Sequence, residues 1–415
     1  MVTELNRKPG LVVFDVEGVL MPKKRYLFFE VGRTLSFSQF LRIVLIGFLY
    51  ELGLIRLKSA LKRVFKSFKG KHVDELVRIF RHVPLMYGVD EVFETLKRDG
   101  WKTALISSGL PTLIVQDLAL RLGADYAEGF QLEENDGILT GEISGDVLER
   151  RGKLAVLTRI LKAENFTPND CIVVADDRNN VPILLPQALK IGYNPDFAVR
   201  RKADVVVTGK LQEILAPIEG KPSEREKLPS RNEILRESIH ASGFFIPLIA
   251  FYAGTYMTAL GILIITLLYV MSELARMERK NIPIISYITY HAANQSELFE
   301  FTTAPIFFAF GILLTLLIFP NPASSAAIAI FALGDSTASI FGRLYGKRAL
   351  PFNRGKTLEG STIGFVFAFL AGSFYIAPVF ALIGAAVAMF IEYLPLPVND
   401  NLVTPIVTGM ALFII

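Results

Sequence analysis

Asp15, Glu17, Ser107, Lys153 and Asp176 are residue types suited to chemistry on a phosphate group, and they lie far apart along this chain. A carboxylate such as Asp15 can attack phosphorus and form an acyl phosphate, splitting one hard displacement into two easier ones. Glu17, two residues on, is placed to protonate the leaving alkoxide and afterwards to deprotonate water. Repulsion between an anionic phosphate and Asp15 must be offset by a divalent metal, for which Asp176 is the obvious second ligand. Ser107, with the Ser108 and Gly109 amides at a helix start, can hold phosphate oxygens. Lys153, in Arg151-Gly152-Lys153, would neutralise charge on the same group.

Three short apolar runs have to deliver these groups: Leu11–Phe14 before Asp15, Ala104–Ile106 before Ser107, and Ile172–Ala175 before Asp176. Runs this short and β-branched predict buried strands of a parallel sheet covered by helices on both faces. The carboxyl ends of such strands line one crevice, where ligands bind. A lone Asp at a strand end is as readily a helix N-cap or a turn. Four motifs in order are not explained that way.

The set resembles the haloacid-dehalogenase superfamily of phosphotransferases, in its phosphoserine-phosphatase branch. The resemblance runs from about Leu11 to Leu215 and includes Leu139-Thr140-Gly141-Glu142 and Asp176-Asp177-Arg178-Asn179-Asn180. It implies an α/β Rossmann-like parallel sheet over residues 1–216, with a helical cap at about 22–84, and Mg2+-dependent phosphomonoester hydrolysis. It also implies a metal held by Asp15, a backbone carbonyl near Glu17 and Asp176, with Asp177 or Asn180 helping. Glu17 stands where the family has its usual second aspartate, and Asn180 where the fourth motif usually ends in an Asp. The early cap is basic at Pro22-Lys23-Lys24-Arg25, where phosphoserine enzymes carry a carboxylate for the serine ammonium. Phosphoserine is disfavoured on that ground.

The cap region is unusually apolar, from Phe37 through Tyr50, with bases such as Arg42, Arg56, Lys62 and Lys66 around it. It reads either as a helix bundle with its own core or as an interfacial surface that admits a lipid phosphate.

The whole chain is 52% hydrophobic with mean hydropathy +0.42, and its second half supplies the excess. Seven apolar segments follow one another at 241–255, 257–274, 302–319, 323–341, 360–375, 377–394 and 401–415. They approach the ~20 residues needed to cross a hydrocarbon core. The expectation is an all-α polytopic membrane domain of about seven transmembrane helices over 238–415, after a polar, proline-bearing linker at 217–237. Met1–Gly10 is polar, so no cleavable signal peptide is expected. The single cysteine, Cys171, excludes an internal disulfide framework.

Arg231 and Arg236 precede the first segment, Arg276, Arg279 and Lys280 follow the second, and Arg343, Lys347, Arg348, Arg354 and Lys356 follow the fourth. The turns at 320–325 and 372–378 carry no charge. This alternation expects a multi-pass protein of the cell membrane with its first half in the cytoplasm.

Ionisable residues at membrane depth are costly and usually functional. Asp335 lies in the fourth segment beside small residues at 334, 338, 342 and 346. Close helix packing explains the small residues but not the carboxylate. The next loop holds Lys356-Thr357-Leu358-Glu359-Gly360-Ser361, with Arg354 and Lys356 as phosphate-binding cations, and Glu392 and Asp400 bracket a later loop. The acids and bases expected on one membrane face suggest a metal–nucleotide site. Gly355-Lys356-Thr357 is not a P-loop, since the required first Gly is missing and no strand precedes it.

This half resembles the integral-membrane dolichol kinase and phytol kinase family, which includes CTP-dependent diacylglycerol kinases. Arg236…His240, Glu273–Arg276, Gly334–Lys347, Lys356–Ser361 and Asp400–Leu402 carry the resemblance. It implies phosphorylation of a lipid alcohol with CTP and Mg2+. Asp335, Glu359 and Asp400 would hold the metal or activate the hydroxyl, and Arg354, Lys356 and Thr357 would bind phosphates. His240 reads as an interfacial anchor. A cytidylyltransferase that makes a CDP-lipid is the alternative for this half; for the first half the alternatives are phosphoserine phosphatase and an inactive regulatory module. The partners expected are a lipid alcohol or lipid phosphate, the membrane and CTP, with no nucleic acid and the oligomeric state open.

Overall fold

The computed structural model describes residues 8–22, 36–51, 54–221, 228–277, 280, 282–283, 285–292, 301–351, 353, 355–394 and 399–415. The Lys23-Lys24-Arg25 run, Arg279 and Arg354 fall outside these residues. The chain divides into two compact units, Met1–Glu224 and Arg225–Ile415.

The first unit is built on a seven-stranded sheet of order β4-β3-β2-β1-β5-β6-β7. Its strands are β1 (Leu11–Phe14), β2 (Lys102–Pro111), β3 (Tyr126–Asn135), β4 (Ile138–Ser144), β5 (Cys171–Ala175), β6 (Leu189–Tyr193) and β7 (Val205–Val207). All neighbours pair in parallel except β3 and β4. The β3–β4 hairpin turns through Asp136 and Gly137, both at positive φ, the conformation an Asp-Gly turn favours between twisted strands.

Leu11–Phe14 of β1 and the facing apolar residues of β2 and β5 are wholly buried, as expected of a sheet covered on both faces. In register, Phe14 lies opposite Leu105 on one side and Val174 on the other. Asp15 and Asp176 just past their strands and Ser107 on β2 therefore lie on three adjacent strands within one residue of the same level.

Among the described residues between β1 and β2 run the α-helices α1 (Phe37–Glu51), α2 (Leu57–Phe65), α3 (Val73–Arg81) and α4 (Val89–Arg98). In α3, Asp74 and Glu75 lie in the first turn and Arg78 and Arg81 in the last, each sign where the helix dipole favours it. Helices α5 (Thr112–Leu122) and α6 (Gly152–Ala163) follow β2 and β4.

The second unit is helical. Its elements are α7 (Arg231–Ala241), α8 (Ile246–Ala253), α9 (Thr255–Met277), α10 (Ile285–Ala292), α11 (Ala304–Ile318), α12 (Ala323–Tyr345), α13 (Leu358–Ser373), α14 (Pro378–Tyr393) and α15 (Asp400–Ile414). A capping box between Ser230 and Glu233 starts α7 inside the stretch expected as linker. Reciprocal side-chain and backbone bonds of that kind satisfy helix-start donors, so the helical path begins well before the first apolar segment.

Helix α12 runs through the centre, with Ala326 to Ala332 at or near zero exposure. It packs on α13 through small residues. A Cβ placed on Gly364 would come 2.6 Å from the Ala338 Cβ and 2.8 Å from the Gly334 carbonyl oxygen. The stripe at 334, 338 and 342 thus serves backbone approach.

Among the described residues, three helical stretches, Arg231–Ala253, Thr255–Arg276 and Ala323–Tyr345, are long and apolar enough to cross a membrane, and four further apolar helices are shorter. Fifteen or sixteen helical residues rise only about 22–24 Å. Large apolar side chains such as Phe251, Tyr256 and Leu267 are exposed on this unit, a surface suited to lipid rather than water.

Candidate active site

Asp15 follows β1 directly and is almost wholly buried. Its Oδ1 accepts from the Val16 amide at 2.9 Å and from Lys153 Nζ at 2.9 Å. Its Oδ2 accepts from Asn180 Nδ2. Lys153 lies one residue into α6, equally buried, and donates also to Asn180 Oδ1 at 2.7 Å. The ammonium therefore holds the carboxylate in one orientation and offsets its charge where water cannot.

Across the crevice, Ser107 Oγ donates to Glu17 Oε2 at 2.6 Å and accepts from the amides of Gly109 and Leu110. A Cβ on Gly109 would strike the Glu17 carboxylate, so a larger residue there would displace Glu17 from Ser107. The expected helix start at Ser108–Gly109 is corrected: β2 continues to Pro111, and α5 begins at Thr112. Proline fixes φ and suits a position just before or within the first helical turn, which moves the start past Leu110. Ser108 is buried on the strand.

Carboxylate oxygens of Asp15, Asp176 and Asp177 lie within 4.8 Å of one another. Hard oxygen donors of this kind suit Mg2+, and three acids beside one lysine leave an excess of negative charge that a divalent cation would cancel. The residues fit the ion. Asn180 is turned toward other partners. Its amide oxygen faces Lys153, and its nitrogen donates to Asp15 and to Asp177 Oδ1. The Glu17 carboxylate likewise faces Ser107 and lies outside the trio.

Two residues hold the metal loop without having stood out in the sequence. Asp196 accepts from the Arg178 and Val199 amides, and the Asp196 amide donates to the Asp176 carbonyl. Tyr50, near the end of α1, exchanges hydrogen bonds with the Asn179 amide at 2.7 and 3.1 Å. Its carbonyl accepts from Arg178 at 2.8 Å, and its ring lies 4.9 Å from that guanidinium carbon. Burial raises the Tyr50 phenol above its ordinary value. In the sequence Tyr50 reads as one more apolar cap residue; in the fold it ties α1 to the Asp176–Asn180 loop.

Residues 12–184 match the family of haloacid dehalogenase-like hydrolases. The first unit carries a haloacid dehalogenase-like domain. Over 224 residues the chain is 29% identical to the phosphoserine phosphatase of Archaeoglobus fulgidus, which covers 54% of this chain and 63% of that protein. Over 212 residues it is 24% identical to the phosphoserine phosphatase of Methanocaldococcus jannaschii, 51% of this chain and 98% of that one. A solved structure described as a phospho-aspartyl intermediate analogue of phosphoserine phosphatase aligns with 51% of this chain and 99% of its own, at 25% identity and a TM-score of 0.45. In sequence the dehalogenase-like domain is phosphoserine-phosphatase-like over about half of this chain.

The second unit has a polar cluster of its own. Lys356 Nζ donates to Asp335 Oδ1 at 3.0 Å and to Glu392 Oε1, and lies 3.7 Å from Asp400 Oδ2. Burial alone would lower the Lys356 ammonium; Asp335, Glu392 and Asp400 beside it raise it above its ordinary value. His240 is no surface anchor. Its ring packs between Phe308 and Phe331, Nδ1 meets Ser336 Oγ at 3.2 Å, and Nε2 lies 3.8 Å from Asp335 Oδ2.

Glu359 points elsewhere, accepting from the Lys347 and Arg348 amides at 3.0 and 3.2 Å. Thr357 caps α13 through the Gly360 amide. Glu392 stands in the place the sequence suggested for Glu359. The signal for it was an acid closing an apolar helix.

Proposed function

We propose that this chain is a bifunctional membrane enzyme: a Mg2+-dependent phosphomonoesterase in the first unit and a CTP-dependent kinase of a polyprenol- or dolichol-like lipid alcohol in the second. The observation that carries the first activity is Asp15 pinned by Lys153 beside Asp176 and Asp177, with Glu17 facing Ser107.

In this reading the Asp15 carboxylate attacks phosphorus as the ester P–O bond breaks, and Glu17 gives its proton to the departing alkoxide. The Glu17 carboxylate then takes a proton from water, whose oxygen attacks phosphorus, releasing phosphate and restoring Asp15. Lys153 stays an ammonium throughout and offsets charge on the transferring group, while Ser107 and nearby amides hold its oxygens. Asp15, Asp176 and Asp177 would hold Mg2+, which when bound supplies charge neutralisation at the phosphoryl oxygens.

Turnover of p-nitrophenyl phosphate by the full chain with Mg2+, abolished in Asp15→Asn, is the test. No turnover across a panel of phosphate esters that includes phosphoserine and lipid phosphates would favour a regulatory module instead. The relatives named phosphoserine phosphatase put phosphoserine on that panel; the basic cap sequence favours lipid phosphates.

The meeting of Lys356 with Asp335, Glu392 and Asp400 supports phosphate handling in the second unit, and charged groups inside apolar helices are usually functional. Labelled CTP decides the chemistry. A γ-label on lipid marks a kinase, and an α-label marks a cytidylyltransferase. The span count, the cell-membrane location and the cytoplasmic side of the first unit belong to this proposal, resting on the three long apolar helices and the distribution of basic residues.

A further inference from the structure

Three carboxylates and one ammonium meet in the second unit: Asp335 from α12, Glu392 from α14, Asp400 from α15 and Lys356 from the α12–α13 loop. The loop is fixed for this, since Asn353 Nδ2 donates to the Glu392 carbonyl at 3.1 Å and the Lys356 amide donates to the Asn353 carbonyl at 3.0 Å. The cluster holds two negative charges in excess. Asp400 is half-exposed and its charge solvated, but Asp335 and Glu392 together outnumber Lys356 by one charge away from water, where an unbalanced charge costs several kcal/mol and calls for a counter-charge.

A separate observation bears on this cluster. Glu392 is only 4% exposed, yet its Oε2 has no hydrogen-bond partner. A small cavity adjoins it, lined by Phe331, Asp335, Met389, Glu392, Asp400 and Thr404. A buried carboxylate oxygen without a donor is expensive, and its residue lines a small cavity together with two further acids.

We infer that Asp335 and Glu392 are carboxylate ligands of a divalent cation in the second unit, with Asp400 at its rim and Lys356 facing the phosphates of the nucleotide. The inference deepens the kinase reading by naming its metal ligands, with Glu392 in place of Glu359. Mg2+ binds through one or two carboxylates together with substrate phosphates, keeping waters at its other positions. Two carboxylates, a cavity and an ammonium that a phosphate can draw away from them match that pattern. One divalent ion cancels the excess charge while Lys356 remains protonated.

The test counts Mn2+ bound by the full chain in detergent, by electron paramagnetic resonance with CTP present. Wild type is expected to hold two ions, one at the Asp15–Asp176–Asp177 centre and one here. Asp176→Asn loses the first ion only. Glu392→Gln loses the second, with at least a tenfold weaker affinity, while Glu359→Gln keeps both. One ion in wild type, or two in Glu392→Gln at unchanged affinity, overturns the inference. Its fate is separable from that of the kinase reading: a chain that binds the second ion but transfers no γ-label refutes the kinase and keeps the site.

Discussion

Replacing Lys153 with Met isolates what the buried ammonium does for the phosphatase centre. The methionine fills nearly the same volume, so the cavity contribution is small. What is lost is the bond to Asp15 Oδ1 and the bond to Asn180 Oδ1, at 2.9 and 2.7 Å. Asp15 is left as a buried carboxylate held only by the Val16 amide and Asn180. Breaking one side of a buried ion pair costs about 3–5 kcal/mol. For a unit of this size each kcal/mol moves the midpoint by about 2–4 °C, so the first unit should melt about 6–20 °C lower without divalent metal. Added Mg2+ should restore part of the loss, since it binds the folded state beside the same carboxylate. The only tryptophan, Trp101, is buried at the start of β2, so its emission reports on this unit alone in the full chain. In Asp15→Asn/Lys153→Met the stranded charge is gone, and the double variant should melt above Lys153→Met. A Trp101 midpoint within about 2 °C of wild type, or a double variant no more stable than the single one, would refute the pairing as an energetic fact.

Other expectations concern single groups. Glu17→Gln should slow phosphatase turnover by about 100- to 10,000-fold and leave label from a phosphorylated substrate trapped on Asp15; label that never exceeds background argues against the acid–base role. Burial pushes the Cys171 thiol up to about 12, so it stays neutral in the fold. The unfolded thiol ionises from about pH 8.5, and this group's contribution to stability is present below that pH and declines above it. A disulfide reagent at pH 8 should therefore ignore the native chain and react at once in denaturant; stoichiometric labelling of native protein contradicts this. Gly364→Leu must separate α12 from α13, because even a Cβ there would sit 2.6 Å from the Ala338 Cβ. About 1–3 kcal/mol of stability should be lost, read as monodisperse protein surviving heat in detergent, and an unchanged survival curve would show that the helices have room.

The strand-end residues were legible because short, β-branched, wholly apolar runs have few fates other than buried parallel strands. Asp15, Ser107 and Asp176 could thus be placed on one rim without coordinates. What eluded the sequence depends on side-chain direction and on contacts between distant segments. Pro111 delayed the helix start that Ser108 and Gly109 seemed to mark. Tyr50 has the composition of an apolar cap residue, and only its partner Asn179 in the metal loop gives it another role. In the second unit, a compact run from Lys356 to Ser361 drew attention to Glu359, which ties down the α12–α13 loop instead. Glu392 and His240 lie far from that run in sequence, and nothing local points them toward Asp335.

The two polar centres share one charge composition and differ in preparation, and the difference is measurable. Asp15, Asp176 and Asp177 with Lys153 in the first unit, and Asp335, Glu392 and Asp400 with Lys356 in the second, each carry an excess of two negative charges. In the first, the three acids already lie within 4.8 Å of one another, and Lys153 sits to one side on Asp15 and Asn180. In the second, the ammonium stands among the carboxylates and bonds to two of them. A cation there must compete with Lys356 unless an anionic phosphate draws that ammonium away. Removing such competition is worth at least a factor of ten in affinity if one charge-assisted bond of about 1.5–3 kcal/mol is released. CTP should therefore tighten the second Mn2+ at least tenfold and leave the first within about twofold. Equal tightening of both, or of neither, would mean that Lys356 does not occupy the cation's place.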